Sequence, residues 1–492
     1  FEAVANWART FGKHDLSAMF LFQQSQKNYV GESANNSEKA LPYRHQGIAG
    51  LITYNYDNRY FVEGNFGYNG SENFSPNHRF GFFPSIAVGY VVSNEKFFAP
   101  IRDVVSMVKL KASYGLVGND QIGGDRRFIY NETVIGGGKY YFGTTPSQYT
   151  SVRLGEFPNP NVGWEKAKKL NLGADLSFFN QLNISVDYFK ENREGIFLQR
   201  KSIPMYVGLS TKPWVNIGKM RNSGIDASLE YHQPLGKDLH LTVRGNFTYA
   251  RNRIMDQDEP DYAYTYMNHS GQMQWQKFGL VAAGLFQDQE DIDSWAKQSF
   301  GEVKPGDIKY LDLNGDGIVD NYDTKPIGYS DIPEIVYGFG FSLQWKAFDL
   351  SAFFQGVAHV SFSTLTDQTQ AFVGRNLKES SVFADLYGNT WTPENPGAKY
   401  PRMTTGAIDN NNQLSTFWMA NGRYLRLKNL ELGYTLPKRI ANKIAMQSLR
   451  VYLSGVNLFT FSPFKLWDPD LQTGATNYPN NRIINLGLTI GF

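Results

Sequence analysis

A chain of 492 residues is long enough for two or three ordinary globular domains or for one large sheet closed into a barrel. Its 48 basic residues nearly balance its 46 acidic ones, which argues against a nucleic-acid partner, and the lack of cysteine excludes disulfides and thiolate metal sites. Aromatics reach 15% and charged residues only 19%, yet mean hydropathy is −0.40 and no run approaches the ~18 apolar residues of a membrane helix.

Period-two alternation runs through the chain and amphipathic helices are scarce. Phe1 already falls inside a strand, so the sequence reads as a fragment with more chain expected before it. A tight turn at Gly12–His14 is followed by a long connection at Gly31–His45, then a tight turn at Asp57–Arg59 ringed by Tyr54, Tyr56, Tyr60 and Phe61. The loop Gly70–Arg79, a connection at Glu95–Asp103 with room for a helical turn, and the long loop Asp120–Asn161 come next. Phe178 and Phe179 precede the turn Asn180–Gln181, after which Leu182, Ile184, Val186 and Tyr188 alternate with Asn183, Ser185 and Asp187. A loop is expected over Glu191–Val215 and a turn at Leu235–Asp238, leading into Leu239, Leu241 and Val243 against His240, Thr242 and Arg244. The longest connection, Gln257–Glu334, opens onto Tyr337, Phe339, Phe341, Leu343 and Trp345, which face away from Gly338, Gly340, Ser342 and Gln344. Beyond the turn Ala347–Asp349 lie the loop Leu365–Ala420, the strand Tyr424–Thr435, a connection at Pro437–Gln447 and the loop Ser462–Asn481. In Tyr424–Thr435 the apolar phase switches near Asn429 and Leu430, the mark of a bulge or of a displaced strand boundary. The last strand sets Ile484, Leu486, Leu488, Ile490 and Phe492 against Asn485, Gly487, Thr489 and Gly491.

About fifteen strands result, with connections that alternate between short and long. Short turns on one rim and long loops on the other, with aromatics near the short turns, define an all-β, transmembrane antiparallel β-barrel. A soluble sandwich has no reason to place every long loop at one end. An odd number of antiparallel strands cannot close, so this is read as part of a larger barrel whose first strands lie before Phe1.

Catalytic signatures are missing: there is no GxSxG elbow, HExxH or GxxxxGK[ST]. One motif stands out within the outer loop 257–334. Asp312, Asn314, Asp316, Asp320 and Asp323 occupy positions 1, 3, 5, 9 and 12 of residues 312–323, with Gly317 at position 6 and the Ile318 carbonyl at position 7. That is the spacing with which an EF-hand-type loop wraps a hard cation, so these six residues are candidate ligands for a structural Ca2+, with Mg2+ as the alternative. Asp323 stands where a bidentate Glu is usual, and an ion-free Asp/Asn/Gly-rich turn is the competing reading.

Segments along nearly the whole chain resemble the C-terminal barrel region of SusC/RagA-type TonB-dependent transporters of the Bacteroidota outer membrane. They include FFPSIAVGYVVSNEKFF (82–98), LKASYGLVGND (110–120), NPNVGWEKAKKLNLGAD (159–175), NIGKMRNSGID (216–226), PGDIKYLDLNGDGIVDNYD (305–323), YLRLKNLELGYTLP (424–437) and VYLSGVNLFTFS (451–462). The resemblance implies a barrel of about 22 strands, with a plug domain and about seven strands upstream of this chain. It also implies TonB-driven import of an oligosaccharide or peptide with a SusD-like surface lipoprotein over the outer loops. Tyr140, Tyr141, Trp295, Phe372 and Trp391 are outer-loop aromatics suited to stacking on sugar rings, and equally to loop packing. The alternatives are a passive porin and a secreted, calcium-stabilised adhesin or glycan-binding protein.

Overall fold

The computed structural model describes every residue except 30–39, 124–125, 146, 210, 367–368, 370–381, 405, 445 and 475–476. Fifteen strands form one antiparallel sheet, hydrogen-bonded in chain order. They are β1 (Glu2–Phe11), β2 (His14–Lys27), β3 (Tyr43–Tyr56), β4 (Tyr60–Ser71), β5 (Phe80–Val91), β6 (Val105–Asn119), β7 (Glu165–Phe178), β8 (Leu182–Gln199), β9 (Trp214–Pro234), β10 (Leu239–Asp256), β11 (Ile335–Trp345), β12 (Phe348–Ala358), β13 (Tyr424–Thr435), β14 (Ser448–Phe461) and β15 (Ile483–Gly491). Most connections alternate short and long as the sequence implies, but residues 72–79, on the rim expected to be long, form a shorter connection than residues 92–104 and 436–447 on the other. Among the described residues no helix is long and apolar enough to cross a membrane, which leaves the strands to do so.

The chain divides into two compact units, residues 1–225 with 252–261, and residues 226–251 with 262–492. In the second unit the pairing register lines up Leu241, Leu343, Leu350, Leu432, Leu453 and Leu486 as one row across six strands. Paired residues share a face, so this row is uniformly apolar, and Leu432, Leu453 and Leu486 are 51%, 50% and 79% exposed. Two residues toward the short turns, Leu239, Trp345, Phe348, Tyr434, Val451 and Leu488 form a second apolar row, with ring centroids 6.3 Å apart for Trp345–Phe348 and 4.7 Å for Phe348–Tyr434. The opposite face carries Thr242, Ser342, Ser351, Glu431, Ser454 and Asn485. A sheet that leaves a leucine row bare on one face and polar groups on the other has inverted the soluble pattern. Lipid is the solvent that makes this stable.

The first unit repeats the scheme. Trp7, Ala18, Ile52, Gly64, Ile86 and Tyr114 align on one face. Near the short turns Tyr56, Tyr60 and Tyr90 stack in sequence, with Tyr60 and Tyr90 5.1 Å apart and nearly parallel. Of the aromatics clustered in the sequence, Tyr56, Tyr60, Trp345 and Phe348 make ring contacts across neighbouring strands or turns.

The phase switch in β13 is a bulge. Phe353 pairs with Asn429 and Phe354 with Leu427, leaving Lys428 without a partner on β12. On β14 the partners jump from Phe459 to Val456, and Asn457 takes φ +54°.

One boundary differs from the sequence reading. The loop expected from Glu191 begins only after Gln199, because β8 continues. Charged cross-strand pairs hold this extension: Lys168–Glu194 at 2.9 Å, Lys169–Glu191 at 3.3 Å and Arg193–Glu165 at 2.7 Å. A ladder built from ion pairs has no apolar alternation, so the sequence pattern fades before the strand ends.

Candidate functional site

The polar face of the first unit builds upward from its register. Ser17, Thr53, Glu63, Ala87, Ser113 and Asn171 lie in one row, and Lys111, Gly173 and Asp187 in the next. Lys111 Nζ lies 2.9 Å from Asp175 Oδ1 and 3.4 Å from Asp187 Oδ2, while Ser185 Oγ donates to Asp175 at 2.7 Å. Apolar alternation hides such a network, since each strand contributes only one or two of its members. Arg9, Asp15, Ser17, Glu63, Lys111 and Asp187 are among the residues that line a cavity of about 790 Å³. Its wall sets charged groups of neither dominant sign and small hydroxyls beside apolar side chains such as Leu16, Phe61 and Val62.

Gly173 has a local reason here. A Cβ at this position would collide with the Asp187 carboxylate and come within 2.8 Å of Lys111 Cε. Gly173→Val is therefore expected to split the Lys111–Asp187 contact. Both side chains are about a quarter to a third exposed, so the expected loss is ~1 kcal/mol or less, read as a lowered denaturant midpoint in detergent with the folded, heat-modifiable form retained.

Long loops of the second unit fold on a core of their own: Leu280, Leu285, Ile308, Tyr310, Val319, Leu386, Tyr400 and Trp418. At its centre Asp307, fully buried, accepts from Lys304 N at 2.8 Å and from Asn411 Nδ2 at 2.9 Å, and pairs with Arg402 (Nε–Oδ1 2.8 Å). Asn411 Oδ1 accepts from Ile308 N at 2.8 Å, and Tyr310 Oη donates to the Asn410 carbonyl at 2.9 Å. Residues more than ninety positions apart are thereby tied to the segment Pro305–Asp323. Outside this core, burial pushes the Asp291 carboxyl up, but hydrogen bonds from Lys309 and the Gln287 amide outweigh it and hold Asp291 below its ordinary value.

Two ion clusters, each around one buried member, fix these loops to strand ends. Arg426, 1% exposed, meets Asp468 and, at 3.1 Å, Asp470, which also accepts from Tyr424 Oη at 2.8 Å. Glu334, 4% exposed, lies 3.1 Å from Arg251 Nε and 3.0 Å from His359 Nδ1. Spacing did not single out these residues, because their partners are distant in the chain.

The six candidate cation ligands lie on one continuous loop. Asp312 accepts from the amides of Gly315 (2.7 Å) and Gly317 (2.8 Å), Asn314 from Asp316 N (3.0 Å), and Asp316 from Ile318 N (2.8 Å). Asp320 accepts from Tyr322 N at 2.7 Å. Gly315 and Gly317 take φ +77° and +86°, conformations that admit glycine without strain. Asp323 is fully buried and accepts from Leu313 N at 2.7 Å and Asp320 N at 2.8 Å, closing the two ends of the loop on itself. Among the described residues no three Asp, Glu or His side chains converge as an ion site. The side-chain oxygens of the loop accept from its own amides. Each carboxylate oxygen has a second lone pair, so an amide bond does not preclude a metal bond.

Of the loop aromatics, Trp295 donates to the Tyr310 carbonyl at 2.7 Å and lies under Lys309 at 4.1 Å, and Trp391 packs against the loop core. Both serve packing. Tyr140 and Tyr141 are exposed, and Phe372 lies outside the described residues.

Residues 1–458 match the family described as TonB dependent receptor-like, beta-barrel. This chain belongs to that family. It is 29% identical over 472 residues to TonB-dependent receptor P3 of Formosa agariphila, covering 90% of this chain and 45% of that protein. It is 27% identical over 470 residues to TonB-dependent receptor SusC of Bacteroides thetaiotaomicron, covering 90% of this chain and 43% of SusC. The RagAB peptide transporter superposes on all of this chain and 55% of its own with a TM-score of 0.75 at 21% identity, which shows a shared fold. This TonB-dependent receptor chain thus spans about half the length of the curated relatives it matches. The apolar rows are the lipid face of an outer-membrane β-barrel, and the resemblance to SusC and RagA read from sequence segments holds.

Proposed function

We propose that this chain is the barrel portion of a TonB-dependent importer that carries an oligomeric nutrient, glycan or peptide, across the outer membrane. Family membership is the observation that carries this reading. The polar wall and the elaborately folded long loops support it, since one offers a wet path and the other a surface for selecting cargo. The RagAB peptide transporter suggests the peptide class, and the glycan class rests on the resemblance of the sequence segments to SusC/RagA-type transporters. By the same likeness a SusD-like lipoprotein delivers cargo from the cell surface. Strands and a plug outside this chain complete the barrel and engage TonB. A passive porin would need no TonB. Uptake of fluorescent oligosaccharides and peptides by cells carrying the full-length protein is expected to stop when TonB is deleted. Uptake that persists without TonB would overturn active import.

The loop 312–323 takes Ca2+ in this reading, through Asp312, Asn314, Asp316, Asp320 and the Ile318 carbonyl, with Asp323 closing the loop. Bound cation would offset repulsion among the carboxylates and stiffen the loop, a structural role. Terbium luminescence sensitised by Tyr266 and Tyr322 is expected in the folded protein and should vanish on adding Ca2+ in excess. Tyr266 Oη donates to the Tyr322 main-chain carbonyl at 2.7 Å, which holds the Tyr266 ring beside the loop. Emission unchanged in Asp312→Ala with Asp316→Ala would assign the signal elsewhere.

A further inference from the structure

On the lipid face of the first unit an apolar groove runs up to a polar pocket. Along β4 this face carries Tyr60, Val62, Gly64, Phe66, Tyr68 and Gly70, the last paired with Gln46 and Phe80. From Tyr60 to Gly70, at ~3.3 Å per residue and a tilt of ~40°, the chain rises ~25 Å, the height of a lipid-facing band. The stacked tyrosines mark its short-turn border. Gln46 therefore marks the other border, toward the long loops that face the cell exterior. Within the band Trp7, Phe20, Ile52 and Phe66 wall a groove of about 420 Å³. Gly64 leaves it open, since a Cβ there would meet nothing within 4 Å. At the upper border Gln24 pairs with Gln46, and one step beyond Gln26 pairs with Arg44. These four line a second cavity, of about 570 Å³, together with Glu72 and Phe80. Arg44 Nε donates to Gln26 Oε1 at 3.1 Å, and its guanidinium lies 3.6 Å from Glu72, which Arg127 also approaches at 3.8 Å. Two cations thus share one carboxylate. Phe80 stacks on Tyr68 with ring centroids 5.1 Å apart and is 44% exposed.

The bilayer is the neighbour of this face, so the groove takes a lipid chain. Chemistry at the upper border says which kind of lipid. Carboxamides both donate and accept, as sugar hydroxyls do. An exposed ring offers flat apolar cover for the C–H face of a sugar. A guanidinium that shares its carboxylate keeps donors for a phosphate oxygen. We propose that this face binds one acylated, phosphorylated saccharide of the outer leaflet, with an acyl chain in the groove beside Gly64 and the phosphate on Arg44. Gly50, in the groove, and Gln46, in the pocket, lie ~13 Å apart on one strand, so a single amphiphile reaches both. A phospholipid would fill the groove and meet Arg44, yet it would leave the three carboxamides to water. The inference rests on the membrane placement of the sheet and is independent of the importer reading.

Native mass spectrometry of the full-length protein in detergent, titrated with monophosphorylated lipid A, tests this. One lipid A is expected to stay bound, roughly ten-fold more tightly than phosphatidylglycerol. Arg44→Gln removes the charged donor and Gly64→Leu fills the groove, and each is expected to weaken lipid A roughly ten-fold. Gln24→Ala with Gln46→Ala should bring lipid A down to the level of phosphatidylglycerol. Heat-modifiable migration reads folding, which these changes should leave intact: the Arg44 side chain is 58% exposed and Gly64 faces open space. If Gly64→Leu fails to fold, Arg44→Gln and the glutamine pair still decide the matter. Equal retention of the two lipids, or binding indifferent to Arg44→Gln and the glutamine pair, would mean ordinary boundary lipid and overturn the site. Displacement of lipid A by inorganic phosphate alone would overturn it too, since a free anion would then suffice.

Discussion

Leu453→Arg is expected to prevent the folded protein from accumulating in the outer membrane, whereas Ser454→Arg, one residue away, leaves it folded. Leu453 sits in the row Leu241, Leu343, Leu350, Leu432, Leu453, Leu486 and is half exposed. A guanidinium there must enter hydrocarbon, at a cost of ~2–4 kcal/mol near the bilayer midplane. That is a large share of the ~5–15 kcal/mol by which native proteins are stable. Ser454 pairs with Glu431 and Asn485 on the opposite face. An arginine at that position enters water and finds a carboxylate beside it. Heat-modifiable migration of outer-membrane fractions on gels reads both outcomes. Equal tolerance of the two variants would mean that the leucine row does not face lipid, and the membrane assignment of these strands would fail.

Arg402→Met is expected to unfold the loop core of the second unit while leaving the sheet assembled. Arg402 is the cation paired with the fully buried Asp307. Removing one member of a buried pair costs ~3–5 kcal/mol, mostly because the remaining charge has lost its compensation. Asp307 also accepts from Lys304 N and Asn411 Nδ2, so its distress spreads to Ile308 and Trp418 through Asn411. Limited proteolysis of intact cells should show new cleavage within 257–334 and 382–423, with the heat-modifiable barrel unchanged. Arg402→Met with Asp307→Leu removes both charges and should recover much of the protection, since a well-packed apolar pair replaces a buried ion pair at little cost. Protection retained in the single variant would show that Asn411 and the Lys304 amide suffice to hold the carboxylate.

The strands, their rims and the aromatic belts were legible from sequence because each follows from one local rule. Side chains alternate with period two, so a strand between lipid and water must alternate in polarity wherever it lies. Turns need Gly, Asn or Asp close by. Even the bulge at Lys428 showed as a break in phase, because inserting one residue flips every later side chain. The pattern failed where ion pairs replaced alternation, as in β8 beyond Glu191. The motif around Asp312–Asp323 was visible as a spacing, but spacing describes a backbone path and leaves open where each oxygen points.

Chemistry built from distant residues depends on tertiary structure. Nothing near Asp307 announces Arg402, and nothing near Arg426 announces Asp468 and Asp470. Each is an ordinary charged residue until folding removes water and leaves one partner within reach. The two-stranded ribbon of Val134–Phe142 with Ser147–Leu154 is the complementary case: its apolar residues look like any other strand, and only the fold shows that nothing in the described chain covers them. Sequence by itself determined the class of this protein, because the bilayer imposes its demand on every strand separately. Tertiary structure decided which side chains meet, because burial and pairing are properties of places in space that the chain reaches from both directions.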